Sequence, residues 1–425
     1  MEMAAVSAPD ACGAGAESPV LALEAAVARA VALAHPVQEC ERLPLLDAAG
    51  RVVANGIVAG IDLPPFDNSA MDGYAVRLAD LAGEGPWQLR LAGSVAAGDR
   101  TFEALAPAGT AFRIFTGAPV PAGFDAVIMQ ENCRVSGDNV SITSRPRPGE
   151  NIRLAGEDLA RGSRMTEPGA LLTPQKLALL AGTGVADVDV FRKVRIGLIS
   201  TGSELKEPGD RLEPGQIYNS NRMLLRAMLA GQRWAEIVDF GIVPDRRPAL
   251  AEAIGRAAER CDVLITTGGV SAGEEDHVVG ALALHGATLD VMKVAMRPGK
   301  PVKIGRVGKM LVAGLPGNPN AVLVTFRQIA LPAIRTVAGL AVTGPDWLPA
   351  VAGFSYRKKI GRTEFVPVRM AGRDETGRPV LEMLERGSSA SLSAMAAADG
   401  IAVLAPEAEN IDNGETLRFE PFCHC

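Results

Sequence analysis

Residues 194–338 alternate between apolar β-prone runs and amphipathic helical runs, and this rhythm restricts the possible folds more than any other feature of the chain. Strands are expected at Val194–Ser200, Ala235–Val243, Asp262–Thr266, Thr288–Met296 and Lys309–Ala313. Helices are expected between them, at about Ser220–Ala230, Arg247–Arg260, Glu275–His285 and Pro319–Val337. Parallel neighbours need a long crossover, and a helix in that crossover covers one sheet face, so the pattern predicts a doubly wound α/β domain over 191–340.

The flanks read differently. Ser18–Ala34 carries apolar and Ala residues at helical spacing and stops at His35-Pro36. A second helix is punctuated by Thr173 as N-cap, Pro174 at its first position and Gly182 at its end. These two helices are expected to pack together in an elongated helical domain made of residues 18–55 and 148–190. Between them, 56–147 breaks into short alternating runs rich in Gly and Pro, the texture of an inserted β-rich domain. After Gly344-Pro345 short strands return, such as Phe365–Arg369 and Gly400–Leu404, and predict a C-terminal β domain over 345–422, a small barrel or sandwich, with the barrel taken for the fold class. The fold class is therefore multi-domain α/β plus β.

A chain of 425 residues exceeds one ordinary core, in keeping with several domains. Its net charge of −6 and its few aromatics (three Trp, three Tyr, twelve Phe) argue against a nucleic-acid binder, which needs excess cations and stacking platforms. No apolar run approaches the roughly 18 residues of a membrane span. Residues 1–18 lack the basic and apolar regions of a signal peptide, and the six scattered Cys suit reduced thiols, so a cytoplasmic location is expected. The Cys423-His424-Cys425 tail has no second ligand pair nearby and is read as incidental.

Ligands of open α/β sheets bind outside the carboxyl ends of the strands, so the residues just past each strand are the first place to look for chemistry. Ser200-Thr201-Gly202-Ser203-Glu204 lies past the first, and Pro244-Asp245 past the second. The third runs into Thr266-Thr267-Gly268-Gly269-Val270-Ser271 and then Glu274-Glu275-Asp276. Arg297-Pro298-Gly299-Lys300-Pro301 lies behind the fourth and Gly314-Leu315-Pro316-Gly317-Asn318-Pro319 behind the fifth. Gly268, Gly269 and Ser271 opening onto a helix fit a phosphate, because glycine turns expose N–H groups and the helix start adds partial positive charge. It is not a Walker loop, since no Lys-Ser/Thr closes it. Arg297 and Lys300 add cations. Glu204, Asp245 and Asp276 would repel a phosphate unless a divalent ion lies between, which points to Mg²⁺. His277 and His285 lie too far apart for a metal pair and are read as structural.

One further run stands out in the inserted β domain: Pro64–Val76, PPFDNSAMDGYAV. It is too polar for a core strand. Asp72-Gly73 supplies a turn and Tyr74-Ala75-Val76 the start of a strand.

This run resembles the signature of the molybdopterin molybdenumtransferases, the family of the bacterial MoeA proteins and the gephyrin E domain. TGSEL (201–205), TTGGVSAGEEDH (266–277), RPGKP (297–301), LPGNP (315–319) and GRTEF (361–365) resemble further blocks of that family in its order, over essentially residues 20–420. The resemblance implies that molybdate enters adenylylated molybdopterin as the adenylyl bond is hydrolysed in the presence of Mg²⁺, giving molybdenum cofactor and AMP. It implies catalytic carboxylates at Asp72, Glu204, Asp245 and Asp276, the last three also holding Mg²⁺. Thr116 and Asp158 match positions near the pterin phosphate; Gly268, Gly269 and Ser271 match phosphate holders. Arg297, Lys300, Pro301 and Arg362 match the molybdate pocket, with Asn318 of the PGNP block among the cofactor-binding positions. The family commonly carries Lys where this chain has Arg297, and Val-Ser where it has Asn320-Ala321; Asn320, or Ser389 and Ser391, are candidates to replace that hydroxyl. A homodimer is also implied, with Asp72 supplied across the subunit interface, and with molybdopterin adenylyltransferase and molybdoenzymes as possible partners.

Two other classes compete with this reading. A non-catalytic carrier of molybdopterin or finished cofactor would tolerate loss of a carboxylate, and all four are present. An adenylyltransferase would need only the α/β domain, and the flanking β domains argue against it.

Overall fold

The computed structural model describes residues 20–100, 106–268, 277–299, 301–341, 344–384 and 390–422. Its chain divides into two compact units, one of residues 42–49 and 55–189 and one of residues 1–41, 50–54 and 190–425.

The first unit is built on a six-stranded sheet of β1 (Gly73–Val76), β2 (Trp87–Val95), β3 (Thr110–Ile114), β4 (Ala126–Met129), β5 (Cys133–Ser136) and β6 (Asn139–Ile142), in the order β4-β1-β3-β2-β6-β5. Alternation divides its side chains between two small cores: Tyr74, Val76, Leu89 and Ile128 on one side, Ala75, Phe112, Ile114 and Val127 on the other. Gly73 opens β1 because nothing larger fits there; an added Cβ would lie 2.0 Å from the Ile128 carbonyl oxygen. Helices are few in this unit. The expected helix is present as Pro174–Gly182, with the Thr173 hydroxyl accepting from Lys176 N at 3.4 Å.

The second unit opens with α1 (Leu23–Ala32) and continues with β7 (Val194–Thr201), α2 (Ser220–Ala230), β8 (Ala235–Val243), α3 (Arg247–Arg260), β9 (Val263–Thr267), α4 (His277–Leu284) and β10 (Thr288–Met292). After β11 (Met296–Arg297) come β12 (Val302–Val307), β13 (Met310–Leu315), α5 (Pro319–Thr325) and α6 (Leu331–Val337). The sheet runs β8-β7-β9-β13-β12-β10, with β8, β7, β9 and β13 parallel and β12 antiparallel to both neighbours. It is doubly wound: α1, α2, α5 and α6 join the core on one face, through Ala26, Leu225, Val322 and Ile334. On the other face α3 and α4 contribute Leu250, Ile254, Val278 and Leu282.

The structure corrects three expectations. The apolar pattern carries the fourth strand to Met296, but β10 stops at Met292, and its neighbour β12, unforeseen, returns antiparallel into β13 through a turn at Gly308 (φ 56). The helix expected over Pro319–Val337 holds a π turn at Phe326–Ala330. Pro332 explains it: the ring cannot donate to, and would crowd, the carbonyl four residues back. Finally, α1 groups with the α/β unit, and the Thr173 helix with the other unit. The α1 helix buries Leu23, Ala26 and Ala30 in the α/β core, its small Ala side chains suiting close approach.

The C-terminal strands β14 (Leu348–Ala352), β15 (Thr363–Arg373), β16 (Pro379–Met383), β17 (Gly400–Leu404) and β18 (Thr416–Pro421) close into a barrel in the order β15-β16-β14-β18-β17, β17 pairing back onto β15. Val366, Val368, Leu381, Leu404 and Phe419 fill it. The two-residue strand β11 adds to β15 in parallel, setting Met296 opposite Thr363 and Arg297 opposite Glu364. Among the described residues no helix is long and apolar enough to cross a membrane.

Candidate active site

At the carboxyl edge of the parallel strands several buried polar atoms lack partners among the described residues. Thr201 at the end of β7 and Thr266 in β9 are each 1% exposed, and their hydroxyls make no hydrogen bond among the described residues. The same holds for Asn219 Nδ2 and Asn221 Oδ1 at the start of α2. Asn219 is fixed by its other atom, which accepts from Arg222 N at 3.3 Å and caps α2, while Asn221 Nδ2 donates to the Gly317 carbonyl of the LPGNP loop. Ser200 and Thr267, paired across β7 and β9, share a hydrogen bond of 3.1 Å. Buried polar groups are ordinarily satisfied, so a concentration of exceptions at one sheet edge marks a place built for a polar ligand.

Two expected carboxylates sit here. Asp245 follows β8, and its buried Oδ1 has no donor among the described residues. It is not merely a helix cap: Arg246 occupies the cap position of α3, and no side chain caps it. Glu204 folds back over Gly202, where an added Cβ would stand 2.6 Å from its carboxylate. A cation, or a donor on a ligand, would satisfy Asp245. Among the described residues no three carboxylates, thiolates or imidazoles gather as a metal set. Asp276, the third member of the expected Mg²⁺ set with Glu204 and Asp245, lies outside the described residues.

Gly268 is the described part of the expected phosphate loop. Its φ is +81°, and an added Cβ would lie 2.1 Å from the Thr201 carbonyl oxygen, so only glycine brings the loop this close to β7. Gly269, Ser271, Lys300, Ser389 and the Cys423–Cys425 tail also lie outside the described residues. His285, read as structural, contacts the Ala251 carbonyl of α3 at 2.7 Å.

A second group forms where β11 meets β15. Glu364 is 2% exposed. Arg362 Nε donates to its Oε1 at 3.0 Å; the Tyr356 hydroxyl (3.1 Å) and Arg297 Nη1 (3.4 Å) donate to its Oε2. Burial and the Glu364 charge hold the Tyr356 phenol above its ordinary pKa. Pro301 directly precedes β12, and Asn318 is the N-terminal boundary residue of α5. The proposed substitutes for the missing hydroxyl meet each other: Asn320 Nδ2 donates to the Ser391 carbonyl at 3.4 Å, and the Ser391 hydroxyl caps the Leu392–Ala397 helix.

The third group lies in the first unit. Thr116 donates to Asp72 Oδ1 from both its N–H and its hydroxyl, each at 2.8 Å. These bonds, the backbone one foremost, hold the Asp72 carboxyl below its usual pKa. Arg113 braces the turn by donating to the Gly73 carbonyl at 3.2 Å and stacking over Tyr74 and Phe115. Asp158 is exposed, in a loop whose backbone N–H donates to the Leu63 carbonyl, and makes no side-chain bond to Asp72 or Thr116. Sequence reasoning assigned no role to Asn219, Asn221, Tyr356 or Glu364. The pair of asparagines at a helix start was the one signal that could have found any of them.

Comparison with known proteins identifies the family of the chain. Residues 21–184 match the MoeA N-terminal region (domain I and II), 197–336 a probable molybdopterin binding domain, and 349–422 the MoeA C-terminal region (domain IV). The molybdopterin molybdenumtransferase of Haemophilus influenzae is 39% identical, the match covering 92% of this chain and 96% of that protein. That of Bacillus subtilis is 34% identical, over 89% of each. The molybdopterin biosynthesis MoeA protein of Pyrococcus horikoshii superposes with a TM-score of 0.76 at 30% identity, over 96% of this chain and 100% of that one. The chain therefore belongs to the molybdopterin molybdenumtransferase family, transferases of molybdenum cofactor biosynthesis.

Proposed function

We propose that this protein inserts molybdate into adenylylated molybdopterin while hydrolysing the adenylyl bond, releasing AMP and molybdenum cofactor. The observation that carries this reading is the edge of orphaned polar atoms at Thr201, Thr266, Asn219, Asn221 and Asp245. These atoms offer donors and acceptors to a polar pterin phosphate, and Gly268, Gly269 and Ser271 would hold phosphate. In hydrolysis a water oxygen bonds to the adenylyl phosphorus, and the pterin phosphate leaves with the bonding pair. Asp72, Glu204, Asp245 and Asp276 are the groups to orient that water and take its proton. Mg²⁺ would be held by Glu204, Asp245 and Asp276, and when bound would offset the negative charge of the phosphates. Thr116 and Asp158 would contact the pterin phosphate region, with Asp72 kept ionised by Thr116. Arg297, Lys300, Pro301, Asn318 and Arg362 would hold molybdate, where paired cations suit a dianion. The protein would act in the cytoplasm as a homodimer, Asp72 reaching the α/β edge of the partner.

Incubation with adenylylated molybdopterin, molybdate and Mg²⁺ tests this reading. AMP and pterin-bound molybdenum should appear together. Tight pterin binding without AMP above a blank would mean a carrier instead.

A further inference from the structure

The Glu364 cluster holds more cation than a structural cross-link requires. One guanidinium neutralises one buried carboxylate, yet Arg297 and Arg362 both bond to Glu364, with the Tyr356 hydroxyl as a third donor. The two arginines approach from different parts of the fold, Arg297 from β11 and Arg362 from the residue before β15. Parallel pairing fixes Arg297 opposite Glu364 across these strands. Arg362 is anchored through Nε alone; its two Nη groups make no hydrogen bond among the described residues, and its side chain is 33% exposed. A guanidinium held by its inner nitrogen, with its outer fork open, is arranged to grip an oxyanion. Lys358 adds no mobile charge, because its ammonium is buried and bonded to the Ala405 and Ala408 carbonyls at 2.8 and 2.9 Å.

We infer that Glu364 is a positioning residue for the oxyanion substrate, fixing the spacing and orientation of Arg297 and Arg362. This rests on the reading of those arginines as the molybdate site. It makes a prediction opposite in sign to simple electrostatics. Removing a negative charge beside two cations should by charge alone strengthen anion binding. If Glu364 instead sets geometry, its loss weakens productive binding although the site becomes more positive.

The test is Glu364→Gln in the full-length protein, isosteric and uncharged. Molybdenum incorporation is followed against molybdate concentration, and tungstate binding is measured by calorimetry as an independent probe. The half-saturating molybdate concentration should rise by about tenfold or more, the scale on which orienting partners act. Affinity for adenylylated molybdopterin should stay the same, which a general folding defect would not allow. An unchanged or lower half-saturating concentration would overturn the inference. Arg362→Ala separates the two levels. If that variant leaves the molybdate dependence unaltered, the site assignment itself fails; if it raises the dependence and Glu364→Gln does not, only the role of Glu364 fails. Should Glu364→Gln not fold, Tyr356→Phe removes one donor from the same carboxylate. Its expected effect is a rise of about two- to fivefold, and no rise would equally overturn the inference.

Discussion

The open edge of the α/β sheet and the cluster around Glu364 treat polar atoms in opposite ways. At the sheet edge Thr201, Thr266, Asn219, Asn221 and Asp245 keep atoms without partners among the described residues, whereas Glu364 has both carboxylate oxygens engaged. The first arrangement costs stability that a ligand returns on binding; the second is assembled in advance, so its groups need not reorganise when an anion arrives. The contrast follows from topology. Parallel strands end together and send their loops one way, while a closed barrel leaves no free edge and holds its charged pairs where another strand joins it.

The largest test of this contrast is Gly268→Ala. With φ at +81° and the Thr201 carbonyl 2.1 Å from the new Cβ, the loop must move. Activity should fall to background, and thermal unfolding should show a loss of roughly 3 kcal/mol. Next is Glu364→Ala, which strands two guanidiniums beside the hole left by the carboxylate. Because both arginines are partly exposed, the cost should be about 2–3 kcal/mol, below that of a fully buried pair, read from urea unfolding. Asp245→Asn should behave the opposite way. With no donor to lose at Oδ1, the ligand-free protein should melt within about 0.5 kcal/mol of the parent, or higher, while AMP release drops by about two orders of magnitude. Marked destabilisation there would mean that the edge is not waiting for a ligand.

The smallest effect concerns pH. Asp72 has its pKa lowered by Thr116, so its charge, and any stability that depends on it, is present above the ordinary carboxylate range and is lost as pH falls through the lowered value. Thr116→Val removes the hydroxyl donor but keeps the N–H. The acidic limb of the pH–rate profile should move to higher pH. An unmoved limb would detach Asp72 from the rate.

The helices over Ser220–Ala230 and Arg247–Arg260 and the strand Ala235–Val243 occur with the bounds that the sequence implied, because caps, prolines and apolar runs are local signals. The strand Val302–Val307 was not legible, since nothing local distinguishes a hairpin partner from the tail of a loop. The partner of α1 was equally hidden: an alanine-rich face fits many surfaces, and only the assembled core selects one. Within the site, Glu204, Asp245 and Gly268 were legible because they come directly after strands. Glu364 was not. A lone acidic residue in a barrel strand looks like solvent-facing polarity, and its burial emerges only when β11 supplies the second arginine.

The short pairing of β11 with β15 bears on how far this protein can be divided. Two residues of parallel ladder hold Arg297 in register with a strand that lies on the far side of the α5–α6 helical segment. A fragment ending before residue 345 would keep the parallel sheet and its orphaned edge, yet it would lose both Arg362 and the strand that aligns Arg297. On the proposed reading, pterin recognition would then be separable from the barrel, whereas the arginine pair exists only in a chain that retains both parts.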